Sequence, residues 1–224
     1  MRLVTKGREP QSLGKYRALP GARYDGGDFT TVKDDVRATL LREQAHLCCY
    51  CTRRISAEVR ANPASPDAPG VPQMKVEHWR PQSRFPELAL AWGNLLGACT
   101  GGIGVAPSDQ TCDTRKGERL ITLDPQNAAH IATLRCRLSG RLTSSDPQIQ
   151  EDIDDRLGLN HAVLVEDRRA VIERALARLG ALYPNRAFPP GALRDAIASA
   201  EAAKDGRAPA LCAVLRLWAQ GRFG

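Results

Sequence analysis

Glu77 and His78, within Val76-Glu77-His78-Trp79-Arg80-Pro81, set an acid beside an imidazole. They lie between Cys48-x-x-Cys51 and two later cysteines, Cys99 and Cys112, with Asn94 between them and Asp113 and Lys116 after. A histidine has the right pKa to take a proton from water near neutral pH. Glu77 and Asp113 offer the hard oxygen ligands that Mg²⁺ or Mn²⁺ needs while it neutralises charge on a phosphate. Four cysteines in two groups suit a tetrahedral structural zinc, with Cys48 and Cys51 as the first pair and Cys99 and Cys112 as the second. Taken in this order, the residues imply hydrolysis of a phosphodiester on a zinc-held scaffold. Arg80 and Arg84, just past the histidine, can hold a nucleic-acid backbone by charge-assisted hydrogen bonds.

The second cysteine pair is widely spaced, with twelve residues between Cys99 and Cys112. A Gly-rich insertion that loops out would keep both sulfurs close. Cys49 competes with Cys48, but Cys48-x-x-Cys51 allows the better turn. Cys136 and Cys212 sit in apolar context and are assigned to the core. His46, His130 and His161 are read as structural or exposed. Gly101-Gly102-Ile103-Gly104 lacks the following Lys-Ser/Thr of a phosphate loop, so the chain has no recognisable ATP site of its own.

The surrounding elements follow from pattern. Residues 1–30, polar and rich in Gly and Pro, predict an extended arm. Thr31-Val32-Lys33-Asp34 has capping-box form and opens a helix running to about Leu47, with Val36, Leu40, Leu41 and Leu47 on one side. Residues 56–73 carry four prolines and no period, which predicts a loop. Met74 to Trp79 predicts a short strand with Val76 and His78 on the same side, ended by Pro81. Asn94-Leu95-Leu96 starts a second strand, 100–109 forms the excursion, and 110–118 begins a helix. So small a unit needs a staple, which zinc supplies. Further on, Asp146-Pro147 suits an N-cap with Pro at the first helical position. Asn160 is the expected cap of a helix whose stripe of Leu164, Val171, Ile172, Ala175, Leu176 and Leu179 ends at Gly180. Helices at about 190–203 and 208–219 complete the chain.

The expected architecture is therefore α+β: an arm over 1–30, a zinc-stabilised strand-strand-helix core over 31–125, and a mainly helical region over 126–224. A chain of 224 residues buries a core without disulfides. The net charge of +7 favours an anionic partner such as nucleic acid, although only 6 of the 32 basic residues are Lys, as in an Arg-rich composition generally. No charged-then-apolar leader or membrane-length apolar run is found, which predicts a cytoplasmic protein. In that reducing compartment seven cysteines are expected to divide into four ligands and three others.

Cys48-x-x-Cys51, Glu77-His78-x-x-Pro81, Asn94-Leu95, Cys99 and Cys112-Asp113-x-x-Lys116 resemble the zinc-bearing HNH nucleases, whose core is a ββα-metal fold. The resemblance implies that His78 activates water, that Glu77 and Asp113 hold one divalent cation, that Asn94 braces the hairpin loop, and that Lys116 lies near the phosphate. Asp113 stands where that family usually has Asn or His. Longer stretches, REPQSLGKYR, LLREQAHLCCYC, KVEHWRPQSRFPELALAWGNLL and LGLNHAVLVEDRR, resemble the PtuB-type HNH nucleases of Septu antiphage systems and some retrons. That similarity implies a PtuA-like ATPase partner, met by the N-terminal arm and the C-terminal helices. DNA is the first substrate expected, with 3′-hydroxyl and 5′-phosphate products. Structured RNA such as tRNA, or an inactive zinc-stabilised nucleic-acid-binding module, are the alternatives.

Overall fold

The computed structural model describes residues 1–60, 70–184 and 187–223. Its centre is an antiparallel hairpin. Strand β3 (Lys75–His78) pairs with β4 (Leu95–Ala98), Glu77 opposite Leu96 and His78 opposite Leu95. A short helix, α3 (Cys112–Lys116), follows. Side chains alternate across a strand, so the hairpin presents two faces. Leu96 and Ala98 enter a large apolar cluster with the cysteine turn, Met1, Val4, Ile172 and Trp218. Leu95 and Val76 enter a second cluster with Leu13, Phe29, Val36 and Leu40. The hairpin is thus buried on both sides, which explains why all four residues of β4 are inaccessible.

The remaining elements enclose it. Helices α1 (Gln11–Arg17) and α2 (Phe29–Glu43) cover the second cluster. Two-residue strands β1 (Val59–Arg60) and β2 (Val71–Pro72) pair beside the hairpin. Past α3 come α4 (Ala128–Ala132), the hairpin of β5 (Leu134–Cys136) with β6 (Leu142–Ser144), and α5 (Pro147–Glu151), which runs on into a π-helical turn at Asp152–Arg156. Then follow α6 (Ala162–Leu182), α7 (Pro190–Glu201) and α8 (Val214–Phe223). The fold is α+β with small sheets. Among the described residues, no helix is long and apolar enough to cross a membrane.

Several local expectations are corrected. The first thirty residues are not merely an extended arm. They include α1, and Met1, Val4, Leu13 and Tyr16 are buried. Helix α2 starts at Phe29 rather than at the Thr31 box, because Phe29 is buried against the rings of Tyr16 and Tyr24, at 5.2 and 4.7 Å between centroids. It stops at Glu43, short of Leu47, where Ala45 and His46 adopt positive φ of 50° and 61°. Asn160 does not cap α6. Its side chain instead clamps β6 by accepting from Leu142 N at 2.8 Å and donating to Leu142 O at 2.9 Å. Gly180 lies inside α6 rather than ending it. The loop expected over 56–73 carries the β1–β2 pair, and its 61–69 portion lies outside the described residues. The cap at Asp146 forms as expected, its carboxylate accepting from Gln148 N and Ile149 N.

Candidate metal centre and catalytic cleft

Cys48, Cys51, Cys99 and Cys112 bring their sulfurs within 4.8 Å of one another. Cys51 and Cys99 are 3.7 Å apart, close to the roughly 3.8 Å edge of a tetrahedron with zinc–sulfur bonds of about 2.3 Å. Four thiols at that spacing fit a structural metal such as zinc. Burial opposes ionisation of Cys48, yet hydrogen bonds from the surrounding thiols hold its pKa well below the usual range. Cys49 lies outside the group, buried next to it. Cys136 and Cys212 are buried elsewhere, and burial raises both thiols.

The twelve-residue gap closes by backbone pairing. Thr111 N donates to Gly101 O at 2.9 Å, so the excursion leaves and returns at one point. Gly101 has φ 52°, and a Cβ there would run into the Thr111 carbonyl oxygen, so the closure requires glycine. Cys112 itself takes φ 55°, rare for a residue with a side chain. Its N–H donates to Leu157 O at 2.8 Å, which ties the strained ligand to the C-terminal region.

Beside this centre a cleft of about 360 Å³ runs along β3, with Glu77, His78, Asp113 and Lys116 among its lining residues. His78 Nε2 lies 3.0 Å from Ala89 O. A carbonyl only accepts, so Nε2 carries the proton and Nδ1 is the ring nitrogen with a lone pair. Burial lowers the His78 pKa, and the ring stands nearly perpendicular to that of Tyr24, 4.4 Å between centroids. Burial thus favours the neutral form of the His78 imidazole.

Glu77 is 2% exposed. It accepts from Tyr50 Oη at 2.6 Å and pairs with Lys116 Nζ at 2.7 Å. Burial first, then the neighbouring Asp113 carboxylate, pushes its pKa well up; Asp113 is held below its ordinary value, burial being outweighed by Glu77 and Lys75. Two carboxyl groups that converge like this raise the cost of ionising both, which Lys116 beside Glu77 and Lys75 beside Asp113 offset. Two acidic side chains meeting at the cleft are oxygen donors of the kind a divalent ion takes, and each is paired with a lysine in this structure.

Lys116 lines the same cleft as His78. Its ammonium is buried, spent on Glu77 and on the His78 carbonyl at 2.8 Å. Asn94 Oδ1 accepts from Arg80 N at 2.7 Å and its Nδ2 donates to Arg80 O and Leu88 O, which ties down the loop between the strands. Arg80 lies over Trp79, 4.1 Å from the ring centroid, with Phe85 at 5.9 Å. Arg84 is exposed in the same groove as Arg80, outside the cleft. His46, His130 and His161 do not line the cleft.

Sequence reasoning missed Tyr24, Lys33, Arg37 and Lys75 in the cleft wall, and Tyr50 behind it. The first three come from segments whose packing on the hairpin has no local signal. Lys75 was legible in principle, as the residue two before Glu77 and on the same side of the strand. Compared with protein-family models and with curated proteins, the chain matches none.

Proposed function

We propose that this protein is a metal-dependent endonuclease of the HNH, ββα-metal kind that hydrolyses nucleic-acid phosphodiesters, DNA first. The observation that carries the reading is His78, its Nε2 3.0 Å from the Ala89 carbonyl, in one cleft with the converging carboxyls of Glu77 and Asp113.

His78 Nδ1 takes a proton from water, the water oxygen bonds to phosphorus in line, and the P–O3′ bond breaks. The departing oxygen takes up a proton, leaving 3′-hydroxyl and 5′-phosphate ends. A Mg²⁺ or Mn²⁺ ion held by Glu77 and Asp113 supplies neutralisation of the charge that builds on the phosphate. Asn94 positions Arg80 through its backbone, and the aromatic faces hold the guanidinium flat for a phosphate oxygen. The four-cysteine centre keeps hairpin and helix together, with zinc as its metal. The sequence similarity to the PtuB-type nucleases supports a role as the effector of a bacterial antiphage system, in the cytoplasm and beside an ATPase partner.

The test is cleavage of plasmid, single-stranded DNA and total tRNA with Mg²⁺ or Mn²⁺, for wild type and His78→Ala, with and without the neighbouring ATPase. Cutting by wild type alone, with 5′-phosphate ends, is the expected result. Products ending in 2′,3′-cyclic phosphate, or equal cutting by the variant, would overturn the mechanism.

A further inference from the structure

Two lysines face the carboxyl pair, and they are held very differently. Lys116 is sealed, its side chain 1% exposed and donating to both Glu77 and the His78 carbonyl. Lys75 reaches Asp113 Oδ2 at 2.8 Å and Thr114 Oγ1 at 3.2 Å, yet its side chain is 33% exposed and lines the cleft. Lys116 leaves Glu77 only at the cost of stranding a buried charge. Lys75 leaves Asp113, itself 16% exposed, at a lower cost than Lys116 leaves Glu77, because its partly exposed ammonium regains water.

We propose that Lys75 is an exchangeable counter-ion: it neutralises Asp113 while no divalent cation is there, and once the cation takes that carboxylate its ammonium turns to the anionic oxygen of a phosphodiester in the same cleft. This rests on the nuclease reading. A divalent cation added beside Lys75 and Lys116 would leave excess positive charge near Asp113, and an incoming phosphodiester offsets part of it. Cation and nucleic acid then bind cooperatively, with Lys75 as the link between them. The lysine is one residue from Val76 and two from Glu77, on a strand held by β4, so its stem is fixed while its ammonium moves.

The experiment compares wild type, Lys75→Met and Asp113→Asn. Mn²⁺ binding without nucleic acid is followed by electron paramagnetic resonance, and binding of a short oligonucleotide by anisotropy with Ca²⁺ in place of Mg²⁺. Thermal melts establish that each variant is folded. Lys75→Met is expected to bind Mn²⁺ about fivefold more tightly, since a competitor is gone, and the oligonucleotide about fivefold more weakly. These opposite signs separate exchange from a structural role, which would weaken both. Mn²⁺ binding unchanged or weakened in Lys75→Met, or unchanged oligonucleotide binding, would overturn the proposal. Asp113→Asn tests the nuclease reading separately: if it binds Mn²⁺ like wild type, the cation site is elsewhere and the reading fails with the proposal. If Asp113→Asn loses Mn²⁺ while Lys75→Met behaves as wild type, the reading stands and the exchange does not.

Discussion

Asn94 grips both sides of Arg80, accepting from its N–H at 2.7 Å and donating to its carbonyl at 3.0 Å. One short side chain thereby sets the backbone two residues beyond His78 and the guanidinium that Trp79 supports. The loop from Trp79 to Gly93 has little regular structure, so this clamp substitutes for a ladder.

Replacing Asn94 by Ala leaves Arg80 N, Arg80 O and Leu88 O without this buried partner. The expected cost is about 1–3 kcal/mol in urea unfolding. Asn94→Asp is expected to cost more than Ala, because it keeps the acceptor for Arg80 N but sets a carboxylate oxygen against two carbonyls. Equal stability of the two variants would contradict the clamp.

Zinc is expected at about one equivalent per chain by elemental analysis. Cys51→Ser should lose most of it and lower the melting temperature by roughly 5–10 °C. Cys49→Ser, outside the four-thiol group, should keep its zinc. Equal loss in both would mean that the ligand set is wrong.

Lys116 and Glu77 form a pair with both side chains almost fully buried, at 1% and 2% exposure. Lys116→Met removes what opposes the burial-raised Glu77 pKa, so Glu77 protonates, and the lost pair and His78 carbonyl partner are expected to destabilise by about 1–3 kcal/mol. Adding Glu77→Gln, which keeps an acceptor for the Tyr50 hydroxyl, should recover part of that loss. A chemical-denaturation series on the single and double variants measures the coupling. Strict additivity would show that the two do not act as a pair.

The acid limb of the activity–pH profile should lie below 6.5, because burial lowers the His78 pKa and the neutral ring is the base. Stability follows the same sign. As pH falls through 6.5 the unfolded chain takes up a proton that folded His78 refuses, so its contribution to stability is lost between 6.5 and the lower folded pKa. His78→Gln should flatten this part of the stability curve and remove cleavage. An acid limb above 6.5 would mean that another group titrates.

Much of the site was legible because its parts are local. Cys48-x-x-Cys51 is a turn, Val76-Glu77-His78 alternates as a strand must, and Asp113 follows a ligand at the start of a helix. The choice of Cys48 over Cys49 rests on turn geometry alone, and the four-thiol group agrees with it. The Asp146 cap was readable for the same reason, since its partners are two and three residues away.

Other features depend on which distant segments meet. Nothing near Lys116 indicates that its ammonium is buried, because that follows from Glu77 arriving from the hairpin. Residues 1–30 look polar, yet a few apolar side chains fold them onto the hairpin and carry Tyr24 to His78. Asn160 looks like a cap until β6 offers its backbone. By itself the sequence determined which four cysteines group and the order of strand, strand and helix, since both follow from spacing along the chain. Only the tertiary structure decided which charges are buried, how they pair and what walls the cleft, because desolvation and charge pairing are set by neighbours that spacing does not specify.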